Sequence, residues 1–172
     1  MDGSTRDTRK RSGDKVGVLN RTSREMTEGV ARTANRAMMR AVGFGDEDFL
    51  KPLIGLASGG SKLSPCNYHL DQLAELAKEP LRRSGGAPMK FNTFVVTDGM
   101  AMGHEGMKCS LVSREVIADV IELVARGHRM DALLCLGGCD KTVPGTAMPM
   151  AEAEPAQPLR VRRHDSAGAL QR

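Results

Sequence analysis

The sequence predicts an α/β domain, a parallel sheet flanked by helices. Short β-prone apolar runs alternate with amphipathic helical stretches, in the order strand, helix, strand, helix, strand. Such an order calls for right-handed crossovers between parallel strands. Aromatic residues make up only 3% of the chain, so the core must be built from Leu, Val, Ile, Met and Ala. No internal repeat is visible.

Each element follows from local pattern. Residues 1 to about 20 are rich in Arg, Asp, Ser and Gly and predict a flexible arm. From about Arg24 to Ala41, Met26, Val30, Ala34, Ala37, Met38 and Ala41 recur at helical spacing, and Gly43 ends the run. Pro52 introduces an apolar run, Leu53 to Ala57, that reads as a buried strand. The loop Ser58-Gly59-Gly60-Ser61 continues to Pro65-Cys66-Asn67.

A second helix is predicted over about Asn67 to Arg83, with Leu70, Leu73, Ala74, Ala77 and Leu81 on its inner face. Pro80 conflicts with it, because a mid-helix proline lacks the N–H and crowds the preceding turn. Phe91 to Val96 reads as the second strand. A glycine-rich loop from Gly99 to Gly106 follows. The third helix is predicted to start with Ser113 as its cap and Glu115 in its first turn. Its stripe is Val116, Ile117, Val120, Ile121 and Val124. Ala132 to Leu136 is the third strand, running into Gly137-Gly138-Cys139-Asp140-Lys141.

Bulk properties narrow the function classes. The chain has 172 residues and a net charge of +4. Basic residues gather near the ends (Arg9, Lys10, Arg11; Arg160, Arg162, Arg163), without the interleaved aromatics of a nucleic-acid face. They read as solvated tails, and nucleic-acid binding rests on charge alone. No apolar run approaches the ~20 residues of a membrane span, and the N-terminus lacks the apolar segment of a secretory signal. A cytoplasmic protein is expected, in which Cys66, Cys109, Cys135 and Cys139 stay reduced.

In a parallel sheet the C-terminal ends of all strands lie on one edge, where ligands bind. Cys66 follows the first strand's loop, Asp98 follows the second strand, and Cys139, Asp140 and Lys141 follow the third. Each has a plain alternative. Cys66 could be a small buried hydrophobe, Asp98-Gly99 a turn, Gly137-Gly138 a tight bend, and His104 with Glu105 a surface pair. Cys109 and Cys135 read as structural. Together the thiols suit an iron–sulfur cluster or zinc, and the carboxylates suit a hard cation such as Mg²⁺. A soft and a hard centre side by side fit removal of a hydroxyl group.

Several stretches resemble the opening of the dihydroxy-acid dehydratases. They are Thr27-Glu28-Gly29, Arg36-Ala37-Met38, Gly45 to Phe49 with Lys51-Pro52, Pro65-Cys66-Asn67 with His69-Leu70, and Phe91-Asn92-Thr93. The longest runs from Asp98 to Met107, then Ser110-Leu111 and Ser113-Arg114-Glu115. The last is Gly138 to Lys141 with Val143-Pro144-Gly145. The resemblance spans about residues 19 to 150, and implies domain limits of 21–150 within the dehydratase fold.

That family removes water from a 2,3-dihydroxy acid to give a 2-keto acid in valine, isoleucine and leucine synthesis. The resemblance implies an iron–sulfur cluster held by Cys66 and Cys139, and Mg²⁺ held by Asp98, Asp140 and a carbamylated Lys141. It also implies a homodimer. The family's third cluster cysteine, a further Mg²⁺ glutamate and a serine base fall beyond this chain, and Cys109 and Cys135 do not occupy the third ligand's place. Pro80, Gly127 and Pro149 depart from helix-friendly positions, Pro149 in a helix expected after Pro144. A sugar-acid (aldonic acid) dehydratase of the same superfamily is the alternative.

After about Ala151 the resemblance stops, and residues 151–172 read as a divergent tail, expected from a frameshift or premature stop. Translating the downstream DNA in all frames tests that expectation. Two thiols are fewer than the family's three, so a non-catalytic remnant is expected of the 172 residues alone.

Overall fold

The structure is a computed structural model, and it describes residues 20–151. The expected arm and tail lie outside the described residues, apart from Asn20 and Ala151. Three strands form a parallel sheet: β1 (Leu53–Ser58), β2 (Ala87–Asn92) and β3 (Ala132–Leu136). Their order is β2-β1-β3, with Leu53 opposite Ala87 and Ile54 opposite Ala132. The α/β reading therefore holds, and β3 has the predicted limits.

The second strand is displaced from its expected position. It occupies 87–92 rather than 91–96. Register explains the shift. The Ala87 N–H donates to the Pro52 carbonyl at 2.9 Å, so the next residue, Pro88, has its missing N–H on the side away from β1. An edge strand tolerates proline there. The more β-prone Phe94-Val95-Val96 segment instead leaves the sheet, with Val95 buried and Phe94 exposed.

The first predicted helix is broken. It comprises α1 (Arg24–Thr27), a 3-10 turn (Val30–Arg32) and α2 (Thr33–Ala41). Gly29 between them has φ +84°, which an α-helix cannot include. Of the expected apolar stripe only Met26 packs against the core. Val30 is 90% exposed and Met38 73%, while Met39 is buried.

Helix α3 (Leu70–Arg83) starts slightly later than predicted and buries Leu70 and Ala74 as expected. Pro80 lies inside it, on the exposed side. The carbonyl it leaves without a donor is that of Leu76, another exposed residue, so water can serve it.

A short α4 (Asp98–Ala101) precedes the long α5 (Lys108–Gly127). α5 begins before Ser113, so Ser113 is not its cap. Ser113 is buried within the helix and its hydroxyl donates to the Ser110 carbonyl at 2.6 Å. The buried face is Ser110, Ser113, Ile117, Ala118 and Ile121; Val116 is exposed, and Val120 and Val124 are half-buried. Finally α6 (Thr142–Ala151) contains both Pro144 and Pro149. Pro144 falls in its first turn, where N–H groups have no helical partner anyway.

Ile117 and Ile121 of α5 pack with Leu53, Ala57, Leu133 and Cys135 on one face of the sheet. Strand alternation puts Leu56 on the opposite face, and α3 packs against β1 and β2. At Gly55 the packing is close. A Cβ there would collide with the side chains of Met130 and Leu133. No described helix is long and apolar enough to cross a membrane.

Candidate metal centre

The C-terminal edge of the sheet gathers the residues singled out in the sequence. Lys141 Nζ donates to Asp98 Oδ2 at 3.0 Å and also to Asp140 Oδ2. One ammonium thus bridges two carboxylates from loops 43 residues apart along the chain for the Asp98 pair. Asp98 and Lys141 are largely covered, with side chains 16% and 19% exposed, whereas Asp140 is 67% exposed.

The electrostatics follow from these contacts. The Ser110 hydroxyl, first, and then Lys141 hold the Asp98 carboxyl below the usual carboxylate range, against the cost of burial. Asp140 and then Asp98 raise the Lys141 ammonium above its ordinary value. The site therefore places two carboxylates around one positive charge, the charge pattern of a hard-cation site.

The thiol loops meet beside it. A Cβ on Gly138 would collide with the carbonyl oxygen of Cys66, so the two loop backbones are in contact and only glycine fits. Asn67 is fully buried and fastens the first loop, its Nδ2 donating to the Gly59 carbonyl at 2.8 Å. Thr142 fastens the second. Its hydroxyl accepts from the Cys139 N–H at 2.8 Å and donates to the Cys139 carbonyl at 3.1 Å. Cys66 is exposed and Cys139 is buried, with Ser64 Oγ 3.9 Å from the Cys139 sulfur. Cys66, Asp98 and the Cys139–Lys141 segment thus share one rim.

The other cysteines stand apart in kind. Cys135 is buried in β3, and burial pushes its thiol up to about 12. Cys109 is exposed at the start of α5, so packing does not account for it. His104 and Glu105 do not pair with each other. His104 Nδ1 accepts from the Gly106 N–H at 3.0 Å, which leaves Nε2 to donate to the Met100 carbonyl at 2.8 Å. Glu105 pairs with Lys108.

Two supporting residues gave no signal of their own in the sequence. Ser110 anchors Asp98 from the first turn of α5. Asp71 joins the ends of β1 and β2, accepting from Ser58 Oγ at 2.9 Å, Asn92 Nδ2 at 2.7 Å and Lys90 Nζ at 3.0 Å. Burial opposes its ionisation, but those donors prevail and hold its carboxyl low.

The donor chemistry fits both groups named above. Two carboxylates already share a cation, and two thiols sit on touching loops. Among the described residues no three His, Cys, Asp or Glu side chains converge.

The sequence matches the family model for the dihydroxy-acid/6-phosphogluconate dehydratase N-terminal domain over residues 51–158. The chain belongs to this family. Among its curated relatives, the dihydroxy-acid dehydratase of Halorhodospira halophila is 58% identical over 135 residues, 78% of this chain and 24% of that protein. The dihydroxy-acid dehydratase of Chloroflexus aurantiacus is 57% identical over 135 residues, with the same coverage of 78% and 24%. That of Acaryochloris marina is 55% identical over 132 residues, 77% of this chain and 24% of the relative. The chain thus spans about a quarter of the length of the curated relatives it matches. In this dehydratase domain the matched region takes in all three strands and the whole rim.

Proposed function

We propose that the full-length protein carrying this domain is a hydro-lyase that converts 2,3-dihydroxy acids to 2-keto acids in branched-chain amino-acid synthesis. Family membership and the relatives' names support the reaction class. The observation that carries the reading is the Asp98–Lys141–Asp140 cluster beside the touching loops of Cys66 and Cys139.

In this reading Cys66 and Cys139 hold an iron–sulfur cluster, while Asp98, Asp140 and Lys141 hold Mg²⁺, Lys141 as its carbamate. When bound, the two centres supply Lewis acidity for the departing hydroxyl and positive charge for the substrate carboxylate. The net change is loss of the C2 proton and the C3 hydroxyl as water, giving an enol that becomes the 2-keto acid. An ammonium cannot ligate a cation, so Lys141 must exchange its proton and its pairing with the carboxylates for an anionic oxygen function before it serves. Ser110 keeps Asp98 ionised and oriented, and Asn67 and Thr142 keep the two thiol loops in place. A cytoplasmic location, where thiols stay reduced, suits this set, and a homodimer follows from the resemblance.

The test is anaerobic purification, visible absorbance of the cluster, and keto-acid formation from 2,3-dihydroxyisovalerate. Absorbance with no turnover on that substrate would sink the reading. The family description also names 6-phosphogluconate dehydratase, so an aldonic acid is the second substrate class to assay.

A further inference from the structure

A buried hydroxyl without a hydrogen-bond partner is uncommon in a folded protein. Thr93 Oγ1 and Thr97 Oγ1 are both in that state. They lie at the two ends of the connection that carries the chain from β2 to Asp98, along the rim described above. The fold uses neither hydroxyl. The Thr93 backbone N–H already donates to the Ser58 carbonyl at 2.8 Å.

Thr97 occupies the N-cap position of α4, where a threonine side chain ordinarily accepts from a free helix N–H. Here its side chain makes no cap bond. The N–H groups of Met100 and Ala101 go to the Thr97 carbonyl at 3.1 and 3.0 Å instead. The Thr93 hydroxyl borders the loop that leads to Cys66. It stands 3.7 Å from where a Cβ on Gly59 would lie, and Asn67 Nδ2 is 3.1 Å from that same point.

We propose that Thr93 and Thr97 are substrate-binding residues, their hydroxyls donating to oxygens of the dihydroxy acid. The inference rests on the dehydratase reading and deepens it. A short polyhydroxy acid carries a carboxylate and two hydroxyls, and two spare donors beside Asp98 and the Cys66 loop match that density of acceptors. Valine replaces threonine at nearly equal shape without the hydroxyl, and serine retains the hydroxyl without the methyl group.

In the full-length holoprotein, Thr97→Val is expected to raise KM for 2,3-dihydroxyisovalerate about tenfold, the worth of one hydrogen bond to a charged group. The Kd for 2-hydroxyisovalerate, which has no 3-hydroxyl to lose, rises in parallel. kcat changes by less than about threefold and the cluster absorbance is unchanged. Thr97→Ser restores both constants, and the Thr93 variants follow the same pattern. Val variants that bind like the parent, Ser variants as impaired as Val, or loss of cluster absorbance would each overturn the proposal. A parent protein that makes no keto acid and does not bind 2-hydroxyisovalerate would instead overturn the dehydratase reading.

Discussion

Two aspartates at opposite edges of the sheet have opposite surroundings. Asp131, at the N-terminal edge, is buried. Its Oδ1 accepts from the N–H groups of Thr22 at 2.7 Å and Ser23 at 3.2 Å, and its Oδ2 from that of Leu53 at 2.8 Å. Asp98, at the C-terminal edge, takes one hydroxyl and one ammonium, and a second carboxylate competes for the ammonium. Backbone donors cannot leave, so Asp131 is a fixed part of the architecture. Side-chain donors can exchange, so Asp98 can trade its partners for a ligand.

Removing Asp131 sharpens that contrast most. Asp131→Ala leaves three backbone N–H groups without an acceptor and unties the N-terminal segment from β1. The expected loss is roughly 3 kcal/mol or more. Urea unfolding of the domain at neutral pH measures it, and a loss under about 1 kcal/mol would end the claim that this edge is structural.

Gly138→Ala is next. Its Cβ must displace the Cys66 carbonyl, and backbone yields less readily than a side chain. A loss of about 1–3 kcal/mol is expected, with lower iron retention in the full-length protein. Normal stability and normal iron content would show that the two thiol loops do not need this contact.

The elements differ in how far they can be read from sequence. β3 was legible to the residue, because Ala-Leu-Leu-Cys-Leu is apolar throughout and closes on a glycine pair. β2 was not. Ala87-Pro88-Met89-Lys90 carries no β signal, and only register against β1 places it in the sheet. The helical period of residues 26–41 was visible, but Gly29's positive φ and the choice of buried face were not. The start of α5 was missed because Ser113 imitates a cap while the helix already runs from Lys108.

At the rim, Asp98 and Cys139–Lys141 were legible from their place after strands. Ser110, Asp71 and Asp131 were not, because their roles exist only once distant segments meet. Chain order can locate a strand's end. It cannot announce which polar residue, 12 or 109 positions away, will satisfy a carboxylate.

Asp71 falls between the two extremes. It bonds side chains, as Asp98 does, but those donors belong to the strand ends themselves. Its side chain is 44% exposed, so solvent screens much of the attraction. Asp71→Ala is expected to cost about 1 kcal/mol, read from the same urea curves. A cost equal to that of Asp131→Ala would mean that donor type does not separate structural from exchangeable acids.

The smallest stability effect is expected where the largest functional one is. The Asp98 carboxyl is held low, so its contribution is present above the unfolded value of about 3.9 and is lost as pH falls through the lower folded value. Lys141 is raised, so its contribution is present below about 10.4 and is lost as pH climbs through the higher folded value. Asp98→Asn should therefore cost under about 1 kcal/mol near neutral pH. The gap between parent and variant should close only as pH falls through the lowered folded value of Asp98, below which both side chains are uncharged. Lys141 still pairs with Asp140 in the variant, which limits the damage. In the full-length protein the same substitution is expected to abolish Mg²⁺-dependent turnover, because a neutral amide is a poor ligand for a hard cation. A variant as unstable as Asp131→Ala, or one that keeps its turnover, would place Asp98 among the structural acids after all.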